Sequence, residues 1–401
     1  MRDFLARIAI LLILMAVFFQ NVTLYGLSLQ VYIFLLGFVL LIAAVGRVQL
    51  SLGDILFFLI LSSVLFSLLF RYIYNISTFE LFKSYILVFV NLFLLAGLKE
   101  IPTKLYSFTW SAYKVLVFLN LIVVLAQFAG IFIGYSFTLP WQVTGFQNFD
   151  MHRSRPSGLF SEPAHLALAA IPILVVGDRL SKLEGILFTL YSLSLFLTFS
   201  STDYVFATLV LLRLIAMMFL SRKGNSFSTL SRILGIITLL FLVLLVFSFL
   251  PRLPQFQRIQ ASLSMSDMSS QARLLEGFRI FSELDITHKL FGVGPGDLKP
   301  ALEKLLSINI NEYLIPNGGL SIELISYGIM FVILEKVFLT MKLGLKSFLV
   351  ILIYQLGAGL TINSPGMIYI ALLFMTAQYV TSPKEKHSQL ATQSTQSLMV
   401  H

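Results

Sequence analysis

Apolar residues form long continuous runs, separated by short polar connections. The run at 55–70, ILFFLILSSVLFSLLF, does not alternate between apolar and polar positions, which is typical of a membrane-spanning helix and not of a membrane β-strand. A helix needs about 20 residues to cross a bilayer. About twelve segments approach this length: 4–20, 24–45, 54–70, 81–98, 112–134, 164–177, 183–200, 203–220, 233–250, 319–340, 346–361 and 366–380. The pattern predicts an all-α polytopic membrane protein whose residues 1–380 form one transmembrane domain.

The composition agrees with this class. Of 401 residues, 58% are hydrophobic and only 12% are charged, so most of the chain cannot face water. The chain contains no cysteine, which excludes disulfides, thiolate chemistry and cysteine-ligated metals.

The net charge of +9 raises the question of an acidic partner. With the amino terminus inside, sixteen of the 28 basic residues, Lys336 among them, fall on the inner connections, as the positive-inside rule requires. Membrane topology therefore accounts for most of the net positive charge, and no nucleic-acid partner is expected. This topology places both termini in the cytoplasm, with 381–401 as a polar, disordered tail.

Two outer connections, 135–163 and 251–318, are too long to be simple turns, and they carry nine basic residues that the insertion rule disfavours there. In the first loop, Arg153 and Arg155 lie just before a helix that starts after Glu162-Pro163. Guanidinium groups and a helix amino terminus both favour anions, so this stretch predicts a phosphate or pyrophosphate pocket, with Gly158 allowing a close approach. The alternative is that the arginines reach lipid headgroups and that Glu162 pairs with one of them.

The second loop contains a candidate amphipathic helix. Arg273, Glu276, Arg279 and Glu283 are spaced by three or four residues, so they can share one face and present two more arginines at the same membrane surface. Solvent-exposed ion pairs are the alternative. The glycine-rich stretch 291–296, FGVGPG, lacks the surroundings of a dinucleotide-binding fold and predicts a tight loop or a close backbone approach to a ligand.

Two charged residues within the apolar segments have other expected roles. Arg213 lies in the middle of its segment, where a charge usually faces a cavity or ties helices together. Asp203 lies at the outer end of the same segment and is expected to cap a helix.

The stretch RSRPSGLFSEPAHLA at 153–167 resembles the R-x-x-G-x-x-x-E-P segment of Wzy-type polymerases of O-antigen and capsular repeat units, relatives of the O-antigen ligases. Further similar stretches cover roughly 110–335, including ARLLEGFRIF at 272–281, the glycine-rich stretch, and Asn317 before the next span. The resemblance implies a GT-C-like architecture and an inverting, metal-independent glycosyltransferase that needs no cofactor. This enzyme would work at the outer face of a bacterial cytoplasmic membrane, in O-antigen (lipopolysaccharide) or capsule assembly.

The implied reaction transfers the growing glycan from undecaprenyl pyrophosphate to the non-reducing end of a lipid-linked repeat unit. Arg155 with Arg273 or Arg279, supported by Arg153, would stabilise the leaving pyrophosphate, since arginine can replace a metal in that role. Gly158 and Asn317 belong to the same binding site.

The resemblance also implies a base, and Glu162 or His165 is the expected group. Many members, especially ligases, have a histidine before the asparagine of the second loop, whereas this chain has Pro316, so His288 is an alternative base. An O-antigen ligase acting on lipid A core and a lipid-linked oligosaccharide flippase or other transporter are the competing functions. Membrane lipid and a separate chain-length regulator protein are the other expected partners.

Overall fold

The computed structural model describes most of the apolar segments and parts of both long loops. The described residues are 2–20, 22–24, 27–45, 53–73, 78–98, 101–133, 137, 139, 155–160, 162–176, 180–198, 200–220, 275–296, 298–306 and 318–381. The predicted segment 233–250 and the tail 382–401 lie outside them.

Helices dominate the described residues, as the apolar runs predict. They are α1 (Arg2–Ala16), α2 (Leu29–Val45), α3 (Gly53–Ile73), α4 (Thr78–Gly97), α5 (Thr103–Phe132), α6 (Ala167–Val175), α7 (Lys182–Ser194), α8 (Ser201–Leu220), α9 (Gly277–Glu283), α10 (Ile286–Phe291), α11 (Leu298–Leu306), α12 (Gly319–Leu343), α13 (Leu345–Gly357) and α14 (Pro365–Thr381). Short 3-10 helices at Val17–Phe19, Pro163–His165 and Leu195–Thr198 extend α1, precede α6 and extend α7. The strands β1 (Thr23–Leu24) and β2 (Leu27–Ser28) form a small antiparallel hairpin between α1 and α2.

The main hydrophobic core draws buried side chains from α1 to α8 and from α12 to α14. All nine residues of α6 are buried, because α8, α14 and α7 pack around this short helix. Pro172 lies inside α6 and cannot donate a backbone hydrogen bond. The Tyr113 hydroxyl of α5 donates to Ala169 O at 2.6 Å in the turn before this proline, so a neighbouring helix bonds to the disturbed backbone.

Two of the described helices, Thr103–Ile131 and Gly319–Leu343, are long and apolar enough to cross a membrane. In the first helix, only 33% of the most apolar 18-residue stretch is buried, whereas the core helix of a soluble protein is mostly buried. Its outward side chains include Phe118, Ile122 and Leu125. This exposed apolar surface fits a lipid environment, and the fold is compatible with an all-α membrane protein.

The second of these helices is not one straight rod. Gly328 in α12 has φ 77° and ψ 172°, which interrupts the helix between Gly319 and Leu343. The single span predicted at 319–340 is therefore two helical pieces. The connection from α13 to α14 is likewise irregular and buried around Leu360 and Ile362, which is tolerated at membrane depth only where protein surrounds it.

Candidate functional site

The first-loop segment 155–160 is fixed by two amide side chains of α5. Gln127 Oε1 accepts hydrogen bonds from the backbone N–H groups of Ser157 and Gly158, both at 2.9 Å. Asn120 Oδ1 accepts from Leu159 N at 2.7 Å. Sequence reasoning missed both residues, although two amides seven positions apart on an apolar helix share one face and are costly in lipid without partners.

Gly158 occupies a position that only glycine suits. Its φ is +60°, and an added Cβ would overlap the Asn120 side chain and crowd Leu166. The predicted close approach at Gly158 is therefore an approach to the protein itself. The network continues from Asn120 Nδ2 to the Tyr191 hydroxyl (2.8 Å), which donates to Leu166 O at 3.0 Å.

The amino terminus of α6 is bonded to a carboxylate of the protein. Ala167 N donates to Asp203 Oδ1 at 2.9 Å, and Thr198 Oγ1 donates to Asp203 Oδ2 at 2.7 Å. Asp203 is fully buried and accepts from the first turn of α6, which agrees with the capping role that the sequence predicts. The predicted phosphate at this helix terminus is therefore not favoured, because the Ala167 N–H has an anionic partner already.

Arg155 is half-buried between the carboxyl-terminal end of α7 and the amino-terminal end of α8. Its Nε donates to Thr198 O at 3.2 Å, and the guanidinium lies close enough to Tyr204 to interact electrostatically with its hydroxyl group. These contacts hold a cation beside the Asp203 cap. Arg153, its predicted companion, lies outside the described residues.

Glu162 directly precedes the short 3-10 helix before α6, and His165 is the last residue of that helix. Glu162 is half-buried, and its side chain makes no capping bond to that helix. In the part of the chain that the structure describes, no ion pair or side-chain hydrogen bond of Glu162 is found. The expected pairing of Glu162 with an arginine is therefore not seen, and its carboxylate is chemically available as a base.

His165 lines a small open cavity between α1, α2, α6 and the α13–α14 connection. Its polar lining is neutral and comprises Gln20, Gln30 and Ser364 beside the imidazole. These groups all lie toward the ends of helices that the sequence topology assigns to the outer face. Amides, a hydroxyl and an imidazole suit a ligand rich in hydroxyl groups.

The second-loop arginine that the structure describes has partners on its own helix. Arg279 pairs with Glu276 and lies 3.8 Å from Glu283, and its side chain is 58% exposed. Glu276 raises the pKa of Arg279. This is the exposed ion-pair arrangement that the sequence left open as the alternative to pyrophosphate binding. Arg273 and Asn317 lie outside the described residues.

His288 is held by the cap of α10. Asp285 Oδ1 accepts from Thr287 N at 2.9 Å and His288 N at 3.1 Å, while its other oxygen bonds to His288 Nδ1. Burial raises the pKa of Asp285, but the hydrogen bonds from His288 and Thr287 outweigh it, so the pKa lies below its usual value. The carboxylate thus orients the imidazole, an arrangement that a histidine base requires.

The glycine-rich stretch packs backbone against backbone on the break in α12. Val293 N donates to Ile325 O at 2.8 Å and Gly294 N to Ser326 O at 2.9 Å. Gly292 and Gly328 both have positive φ, and a Cβ on either would overlap the other segment's main chain. The close approach predicted here is therefore made to α12, and it bonds carbonyls next to the break.

A buried charge cluster on α12 was not predicted. Lys336 Nζ donates to Glu323 Oε2 at 2.7 Å and to Gln355 Oε1 at 2.8 Å, and it also pairs with Glu335. Both glutamates are fully buried, and Lys336 is nearly so. The sequence counts Lys336 among the connections between spans, whereas the structure places it within α12, in this cluster. Glutamates within an apolar run were the available signal.

The predicted site residues fall into two groups. Arg155, Gly158, Glu162 and His165 lie together against α5, α6 and α8, whereas Arg279 and His288 lie on α9 and α10, which pack on α12 around a separate small hydrophobic cluster. Arg213 Nη2 donates to Val176 O at 2.9 Å and so ties α8 to the end of α6, which is one of the two roles that the sequence left open.

Comparisons with known proteins do not identify a family for this chain. Comparison of the chain with protein-family models, with curated proteins and with solved structures finds no match.

Proposed function

We propose that this chain is a membrane-embedded polysaccharide polymerase, an inverting and metal-independent glycosyltransferase with about twelve spans and a GT-C-like architecture. The donor is a glycan on undecaprenyl pyrophosphate, and the acceptor is a lipid-linked repeat unit. The site faces outward from a bacterial cytoplasmic membrane, with both termini in the cytoplasm.

One observation carries the proposal: Glu162, a half-buried carboxylate for which the described residues provide no ion pair, lies three residues before His165, which lines a cavity with Gln20, Gln30 and Ser364. The sequence stretch that resembles the polymerases includes both residues and is fixed to α5 by Asn120 and Gln127. Positioned groups on a rigid support are what group transfer requires.

The chemistry proceeds as a single displacement. The acceptor hydroxyl oxygen attacks the anomeric carbon of the donor sugar, the bond from that carbon to the pyrophosphate oxygen breaks, and the hydroxyl proton passes to Glu162 or His165. Arg155, with Arg273 or Arg279, stabilises the negative charge that develops on the leaving pyrophosphate, and Arg153 supports them.

The test is a polymerisation assay with purified protein and undecaprenyl-pyrophosphate-linked repeat units, without nucleotide sugar or metal. The wild type is expected to produce a ladder of longer glycans, and Arg155→Ala and Glu162→Ala are each expected to abolish it. Asp3→Ala and Lys104→Ala are the matched controls, because these residues form an exposed ion pair far from the loop in sequence. An unextended substrate with the wild type, or normal ladders with both site variants, contradicts the proposal.

A transporter of lipid-linked oligosaccharide is the second candidate, and a specific observation favours it. The helix α12 is broken at Gly328 and carries buried Glu323, Glu335 and Lys336, and broken helices with buried charges are common at transport sites. In proteoliposomes, movement of the labelled lipid across the bilayer without glycan growth would favour the transporter.

A further inference from the structure

We infer that the buried cluster on α12 is a binding site for one proton, carried by Glu335. The inference concerns the residues of α12 and α13 and does not depend on the polymerase activity.

The geometry brings the members together across the helix break. Glu323 and Lys336 are thirteen residues apart, which corresponds to about 20 Å along a continuous helix. Their charged atoms are nevertheless 2.7 Å apart, because Gly328 interrupts α12 between them. The cluster therefore exists only in the broken form of α12.

The charges within the cluster do not balance. Glu323 and Glu335 are both fully buried, and Lys336 is the one cation that acts on them among the described residues. The facing group from α13 is the neutral amide of Gln355, and the described side chains of α3, 56–65 and 67, are apolar or serine. With both carboxylates ionised, one uncompensated negative charge would lie in an apolar interior, which is costly.

Hydrogen bonds decide which carboxylate is ionised. Glu323 accepts from Lys336, from Gln355 Nε2 at 3.2 Å and from Ile362 N at 2.6 Å, so its charged form is well solvated by the protein. Both oxygens of Glu335 are buried, and among the described residues their polar contact is the one with Lys336. Glu323 therefore keeps its charge, and the proton resides on Glu335.

Infrared spectroscopy of the full chain in lipid nanodiscs tests this directly. A protonated carboxyl group has a carbonyl stretch that an ionised one lacks, and ¹³C-labelled glutamate shifts the band and separates it from lipid esters. At neutral pH we expect one buried protonated glutamate in the wild type. A fully ionised cluster, with no such band, overturns the inference.

Charge balance gives each variant its own expected result. Glu335→Gln removes the band, and Glu323→Gln also removes it, because Glu335 then pairs alone with Lys336. Lys336→Met doubles the band, because neither carboxylate then has a cation.

Glu283→Gln, at an exposed surface glutamate, leaves the band unchanged as the matched control. A band that persists in Glu335→Gln, or that is unchanged in Lys336→Met, contradicts the assignment. The wild-type spectrum decides the question even where a variant fails to fold.

Discussion

The described parts of the two long loops are anchored to the helices by different kinds of hydrogen bond. The first loop uses side chains, since Gln127, Asn120 and Asp203 bond to the backbone of the segment from Ser157 to Ala167. The second uses backbone, since Gly292 and Gly328 let two main chains meet, and the N–H groups of Val293 and Gly294 donate to carbonyls of α12.

This difference distinguishes the polar residues that anchor the loops from the polar residues that are candidates for catalysis. In the first loop the buried anchors come from the spans, so Glu162 is not needed for anchoring. In the second loop glycine holds the contact, and the charged groups Arg279 and Glu276 pair on the exposed side of α9. Charge density along the sequence is thus a poor guide to which residues stabilise the loops.

The largest effect is expected from Gly292→Ala. The new methyl group would overlap Ser326 backbone atoms at a positive φ, so neither side-chain rotation nor a small shift relieves it. We expect a loss of about 4 kcal/mol or more in unfolding free energy, measured by denaturant titration in detergent. Gly344→Ala is the control, because its φ is also positive (+82°) but its Cβ meets open space, so about 1 to 2 kcal/mol is expected. Equal losses in both variants would refute the backbone contact.

The next effect concerns the side-chain anchor of the first loop. Gln127→Leu keeps the volume but leaves the buried N–H groups of Ser157 and Gly158 without their acceptor. We expect a loss of about 2 to 4 kcal/mol in the same titration. Ser111→Ala, at an exposed position of the same helix, is expected to change stability by less than about 0.5 kcal/mol. A Gln127→Leu protein as stable as the wild type would show that the anchor is not structural.

The sequence predicts helices well where apolar runs are long, as at 54–70 (observed Gly53–Ile73) and 366–380 (observed Pro365–Thr381). It predicts the candidate site less well, because partners such as Gln127 and Gly158, or Asp203 and Ala167, are joined only by tertiary packing. Apolar periodicity encodes which surface is buried, whereas the partner of a buried polar atom depends on how the helices pack.

A smaller effect is expected at the Asp285 cap, and it depends on pH. The pKa of Asp285 is lower in the folded protein than in the unfolded chain, where it is about 3.9. Its contribution to stability is therefore complete at neutral pH and is lost as the pH falls through the folded value, below about 4. Asp285→Asn retains a capping side chain and removes the charge. On acidification, we expect the unfolding free energy of the wild type to fall further than that of this variant. The difference is expected to be less than about 1 kcal/mol, because Asp285 is 55% exposed. Parallel pH curves would contradict a charged cap.

The smallest effect on stability is expected for Arg279→Ala. Because Arg279 is 58% exposed and pairs within its own helix, its removal is expected to change unfolding free energy by less than about 0.5 kcal/mol. Polymerisation measured on the same preparation then isolates chemistry from folding, which Gly292→Ala and Gln127→Leu cannot do. A shorter ladder at unchanged stability would assign the guanidinium to substrate, since removal of a surface ion pair alone does not slow a reaction. A full-length ladder would leave Arg155, Arg153 and Arg273 as the candidates for stabilising the pyrophosphate, because Arg279 would then serve only its ion pairs on α9.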